Sequence, residues 1–145
     1  MTVDELWEES GLVGDYEAWA FGGAPDKLAD LVVRGIKTAT SSSLELMRYE
    51  GERMPEPGDY SVILDSKGQA VCIIRTTRVY VEPFARVMRE HAFKEGEGDR
   101  SLDYWRRIHD EYFTEVLGAV GLPFSEESEL VCEEFELAYV PAKRF

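Results

Sequence analysis

The chain has 145 residues, enough for one domain with a real core, and its 44% apolar and 12% aromatic content excludes a disordered polymer. Its net charge of −13, from 29 acidic and 16 basic residues, argues against nonspecific binding of duplex DNA, which is driven by counterion release at clustered Lys and Arg. No apolar run is long enough to span a membrane, and the acidic start MTVDELWEES lacks the basic-then-apolar order of a secretory signal.

Residues 1–22 carry Leu6, Trp7, Tyr16, Trp19 and Phe21 around the break Ser10-Gly11, which reads as an N-terminal helical segment of one or two short helices. Residues 25–34 form the first clear helix. Pro25 suits its first position, Asp26 the positive end of its dipole, and Gly35 its stop, while Leu28, Leu31 and Val32 share a face. The stretch GIKTATSSS, from Gly35 to Ser43, then sets one lysine among hydroxyls just past a helix end. Its serines read as turn and cap residues, and residues 43–51 as a short helix ending before the turn-rich 55–58.

Strand character begins at 60–64, pauses at the turn 65–68, and resumes in a long strand over 70–81. Val71, Ile73, Val79 and Val81 share one parity there with Arg75 and Thr77, so the middle of the strand either faces a polar cavity or is bulged. EHAFKEGEGDRSLDYW, residues 90–105, places Glu95, Glu97 and Asp99 at alternate positions among glycines and reads as a surface loop aiming its carboxylates. Ser101 caps the strongest helix, 101–120, whose Leu102, Trp105, Ile108, Tyr112, Val116 and Val120 line one face. A strand over 130–139 closes the chain. The class is α+β with a small sheet, open to closure into a barrel.

Lys37 admits three readings. A phosphate-binding loop is excluded: its Gly and Lys are not adjacent, and a helix stands where a strand should precede. A solvated lysine favourable to the helix dipole and the fixed cation of a catalytic pocket both remain. The acidic stretch reads either as a solvated loop capping the next helix or as a general acid/base or divalent-cation site, though not with EF-hand spacing. His91 and His109 lack partners at zinc-ligand spacing, and His109, beside the apolar stripe of its helix, is expected at the core edge or surface. Cys72 and Cys132, the only cysteines, sit in apolar segments and read as buried thiols of a cytoplasmic protein. No histidine-paired nucleophile is evident.

GIKTAT matches the Gly-x-Lys-x-x-Thr signature of the ASCH family, within the PUA-like fold. WAFGG, PGDYSVILD, VCIIRTTRV, EGEGDRSLDYWRRIH and VCEEFEL resemble, in the same order, the longer bacterial type of ASCH-domain protein, so the likeness spans nearly the whole chain. It implies one domain over 1–145, a small PUA-like β-barrel of about five to six strands with flanking helices. It also implies a cleft suited to single-stranded RNA or a modified nucleoside. Family members include N4-acetylcytidine amidohydrolases and a metal-assisted ribonuclease.

Carried over residue by residue, the amidohydrolase pattern makes Lys37, Thr40 and Glu95 catalytic. Thr40 or a water it holds would attack, Glu95 would move the proton, and Lys37 would stabilise the oxyanion, with no cofactor. Gly35, Thr38, Ser42, Arg75, Arg100 and Ser101 complete the candidate substrate-binding set. In the ribonuclease variant Glu97 and Asp99, with Glu95, would hold Mn²⁺ or Mg²⁺. This chain adds to the compact amidohydrolases much of its N-terminal helical segment, the stretch 43–58 and the helix from Ser101. The alternative classes are a noncatalytic RNA- or ligand-binding regulatory module, and an acidic surface that docks a basic protein.

Overall fold

The computed structural model describes residues 1–142. In chain order the elements are α1 (Val3–Ser10), β1 (Tyr16–Trp19), α2 (Pro25–Val33), β2 (Ala39–Ser43), α3 (Leu44–Glu50), β3 (Tyr60–Leu64), β4 (Ala70–Pro83), a 3₁₀ turn (Phe84–Arg86), α4 (Arg89–Glu95), α5 (Leu102–Gly118) and β5 (Glu129–Tyr139). The five strands form one mixed sheet in the order β1-β3-β4-β5-β2. Only the β1–β3 pair is parallel.

The sheet is open. The barrel expected from the resemblance would need its two edges to pair, but β1 pairs with β3 alone and β2 with β5 alone. Both edge strands are also short, four and five residues. Short edges limit the backbone left to pair.

The long strands are buried on both faces, which is why they lack a clean polar alternation. Ile63, Cys72, Ile74 and Phe135 pack against α2 through Leu28, Ala29 and Val32. Val62 and Ile73 face the other way, onto Leu6 of α1. Further along, Leu130 and Cys132 meet Trp105, Phe113 and Leu117 of α5, whereas Val131 meets Leu44 and Met47 of α3. Arg75 pairs with Glu136 in the β4–β5 ladder, and the register skips Thr77 between Thr76 and Arg78. The polar middle of the long strand is thus a bulge.

Three local expectations change. Residues 1–22 are helical only in their first half: a capping box between Thr2 and Glu5 starts α1, and left-handed Gly11 ends it. Tyr16–Trp19 is then a strand, because its backbone finds a distant parallel partner in β3. The hydroxyl run after Lys37 is likewise a strand, β2, and of its serines only Ser43 is a cap, accepting from the Leu46 N–H. The acidic surface loop begins as helix α4, which carries Glu95 inward. Both cysteines are free and buried, and burial pushes each thiol up to about 12. Among the described residues no helix is long and apolar enough to cross a membrane.

Candidate functional site

Lys37 leaves α2 through a tight stop. Gly35 takes a left-handed φ of 75°, and the N–H groups of Ile36 and Lys37 both donate to the Leu31 carbonyl. The next residue is clamped from two sides. The Thr38 N–H donates to the Lys94 carbonyl at the end of α4, and the Thr38 carbonyl accepts from the Phe135 N–H of β5. This anchorage directs the Lys37 side chain inward, where the residue keeps only 2% exposure.

Glu95 meets it there. It is the last residue of α4, followed by Gly96 at φ 76°, where a Cβ would come within 2.6 Å of the Ile36 carbonyl oxygen. Only glycine lets the two segments approach so closely. Lys37 Nζ donates to Glu95 Oε1 at 3.2 Å, to the Glu95 carbonyl at 3.4 Å and to Glu97 Oε2 at 3.2 Å. The ammonium also lies 5.2 Å from the centre of the Phe21 ring.

The second oxygen of Glu95 accepts from three more donors: Ser41 Oγ at 2.8 Å, His91 Nε2 at 2.8 Å and Trp105 Nε1 at 2.7 Å. His109 Nε2 stands 3.5 Å from Oε1. Burial by itself would push the Glu95 carboxyl up, but Lys37 and the hydrogen bonds from His109 and His91 hold it well below the usual range. Since that carboxylate only accepts, His91 carries its proton on Nε2, and its buried Nδ1 has no partner among the described residues. His109 donates from Nδ1 to the Trp105 carbonyl at 2.8 Å and stacks on the Trp105 ring. Burial opposes charge on His109, yet Glu95 and Glu97 outweigh it and raise its pKa.

These groups floor a cleft of about 260 Å³. Phe21, Gly22 and Gly23 form one wall, Tyr104, Ile108 and Tyr112 of α5 another, and Thr40 and Ser41 of edge strand β2 border the floor. Two glycines let the tyrosines close in. A Cβ on Gly22 would collide with the Tyr112 hydroxyl, and one on Gly98 with the Tyr104 ring.

Of the residues singled out from sequence, Lys37, Thr40, Glu95 and Glu97 come together here. Gly35, Thr38 and Ser42 build the approach but do not line the cleft. Arg75 lies on the exposed sheet with Glu136 at 3.3 Å. Arg100 and Ser101 line a separate outer groove. Asp99 does not join the other carboxylates; it accepts from the Ser101 N–H at 2.9 Å, and the Ser101 side chain together with that N–H lowers its pKa. Ser41, His91, Trp105 and His109 were missed. For the last three the signal was helical spacing: His91 precedes Glu95, and Trp105 precedes His109, by one turn each, whereas Ser41 lies on strand β2.

Glu95, Glu97 and His109 each bring one ligand atom within 4.8 Å of the others, the one such group among the described residues. Lys37 Nζ, however, already stands 3.2 Å from both carboxylates. A divalent ion and an ammonium would repel each other there, so this donor set does not fit a metal while Lys37 holds its place.

Residues 17–139 match the family model of the ASCH domain. None of the curated proteins matches significantly. The chain is similar to the solved ASCH domain of Lactobacillus crispatus JV V101, with 29% identity and a TM-score of 0.85 over 94% of this chain and 93% of that one. It is also similar to protein EF3133 of Enterococcus faecalis V583, with 36% identity and a TM-score of 0.85 over 95% and 88% of the two chains. A point mutant of ZmASCH from Zymomonas mobilis shares the fold at 13% identity and a TM-score of 0.50, over 84% of this chain and 70% of that one. With a matching family model and two structural relatives aligned over nearly all of this chain, the chain belongs to the ASCH domain family, a PUA-like family associated with RNA binding.

Proposed function

We propose that the cleft takes a nucleobase bearing an N-acyl group and hydrolyses its amide bond. The observation that carries this reading is the Lys37 ammonium, buried between Glu95 and Glu97 beneath aromatic walls in a cleft of about 260 Å³. That volume is below the roughly 300–1,000 Å³ of drug-sized pockets and suits one base better than a strand. Electrostatics support a neutral group over a phosphodiester. The two carboxylates Glu95 and Glu97 balance the two ammoniums that line the cleft, Lys37 and Lys27, so a neutral His109 leaves no surplus positive charge for a phosphate. The reading needs no metal.

The residues divide the work by their partners. A water held by Thr40 attacks the acyl carbon, and the oxyanion that forms faces the Lys37 ammonium. Glu95, accepting from Lys37, Ser41, His91 and Trp105, acts as the fixed anion that orients Lys37. Glu97 is the better proton carrier: its side chain is 17% exposed, and Lys37 is the only hydrogen-bond partner of its carboxylate among the described residues. It takes the water proton and returns it to the exocyclic nitrogen as the C–N bond breaks, releasing a carboxylic acid and the free amine.

The test is incubation with N4-acetylcytidine and chromatographic detection of cytidine, with EDTA in a parallel arm. Wild type forms cytidine with or without EDTA. Lys37→Ala loses about 10²–10³-fold in kcat, as expected for removing an oxyanion donor. No cytidine from the nucleoside, and no deacylation of RNA containing it, would leave the noncatalytic binding module as the function.

A further inference from the structure

We propose that His109 is the residue that reads the base: its Nε2 accepts the exocyclic N–H of the nucleobase, so the cleft selects bases that carry an amino or acylamino group. This rests on the cleft receiving a nucleobase and adds the contact that decides which one.

The two histidines of the chain both meet Glu95, and they meet it in opposite tautomers. His91 gives its Nε2 proton to Glu95 Oε2 at 2.8 Å and lies outside the cleft lining. His109 instead places its Nδ1 proton on the Trp105 carbonyl at 2.8 Å, within its own helix. In the neutral ring Nε2 then carries a bare lone pair. That nitrogen stands 3.5 Å from Glu95 Oε1, beyond the roughly 2.7–2.9 Å of a charge-assisted N–H···O⁻ bond. The contact is loose, and Nε2 can take a ligand donor instead.

The ring is also held in place. It stacks on Trp105 with centres 4.3 Å and planes 18° apart, and Phe113 lies against it at 5.8 Å. Trp105 is fixed in turn by its own N–H to Glu95. His109 keeps only 8% exposure, yet it lines the cleft together with Lys37, Glu95 and Glu97. Lys37 can only donate, and it already engages both carboxylates. Ser41 is committed to Glu95. Nε2 is left as the open acceptor on the α5 side of the floor. Burial opposes a proton on that nitrogen, whereas Glu95 and Glu97 favour one in the open cleft. A base that expels water adds to the burial, and its N–H takes the place of the proton.

The experiment is isothermal titration calorimetry with cytidine and with the 2-pyrimidinone ribonucleoside, which lacks only the exocyclic amine. Neither has an amide to hydrolyse, so the readout needs no turnover. Wild type is compared with His109→Phe, checked for folding by circular dichroism; phenylalanine keeps a ring against Trp105 and removes both nitrogens. Wild type binds cytidine about 3- to 10-fold tighter than the pyrimidinone, as one net hydrogen bond requires, and His109→Phe binds the two alike. Long-range ¹H–¹⁵N NMR of wild type supplies a second measurement that needs no variant. Cytidine moves the bare-nitrogen signal of His109 toward its N–H position, and the pyrimidinone does not. Equal affinity for the two nucleosides in wild type, or a preference that survives in folded His109→Phe, would overturn the proposal. So would no binding of cytidine, or a His109 signal that saturating cytidine leaves unmoved. Failure of the hydrolase reading leaves a different trace: a chain that prefers cytidine through His109 but releases none from N4-acetylcytidine loses the hydrolysis and keeps the contact.

Discussion

At Glu95, donors from β2, α4, α5 and the loop after α2 converge on two oxygens. A carboxyl held well below its unfolded value of 4.5 stabilises the fold above that value, and the contribution is lost as pH falls through the folded value. His109 has the opposite sign. Its pKa is raised above 6.5, so its contribution is complete below 6.5 and is lost as pH rises through the folded value. The stability gap between wild type and His109→Gln should therefore shrink above pH 6.5, as read from urea midpoints at several pH values. Lys37→Ala strips the buried Glu95 of its main counter-charge and should cost about 3 kcal/mol, at the low end for a broken buried pair because Ser41, His91 and Trp105 remain. The same urea series would register it as a lower midpoint with unchanged slope. Glu133 is a third case: burial raises its pKa, against the bond from Thr76 at 2.7 Å. A group with a raised carboxyl pKa weakens the fold as pH climbs past 4.5. Glu133→Gln should thus raise the midpoint at pH 7, and the gain should vanish below pH 4.5.

Among the elements, α2, α5, β3, β4 and β5 were legible because each carries its own apolar period or run, such as Leu28-Leu31-Val32 or Trp105-Ile108-Tyr112. The elements that hold the site were harder to read. Helix α4 has only seven residues and runs into a glycine-rich turn, and β2 is a run of hydroxyls with no apolar alternation. Their identity comes from partners far along the chain: Glu133 and Cys132 for Thr40 and Ser41, and the clamp between Lys94 and Thr38 for α4. Gly96 is the joint between them. Gly96→Ala would force a side chain into left-handed backbone and against the Ile36 carbonyl, and should cost about 2 kcal/mol. Its effect should reach the site as well, lowering Trp105 fluorescence constancy on titration because Glu95 no longer seats its indole N–H.

For the whole molecule, the charge of −13 sits mostly outside a site whose own charges pair internally. Raising salt from about 0.05 to 0.5 M should therefore increase the thermal midpoint by screening self-repulsion. Turnover of a neutral nucleoside should change little over the same range, because buried pairs are weakly screened. The sequence by itself determined the class, the core segments and the family likeness, since these rest on local periodicity and on ordered motifs, while the meeting of Lys37 with Glu95 was an expectation from that likeness alone. Only the tertiary structure decided that the sheet stays open, that Lys37 is buried, and that Glu97, His91, Trp105 and His109 join it while Arg75 and Asp99 do not. Burial and convergence are set by contacts between segments distant in the chain, and no local pattern encodes where those segments meet.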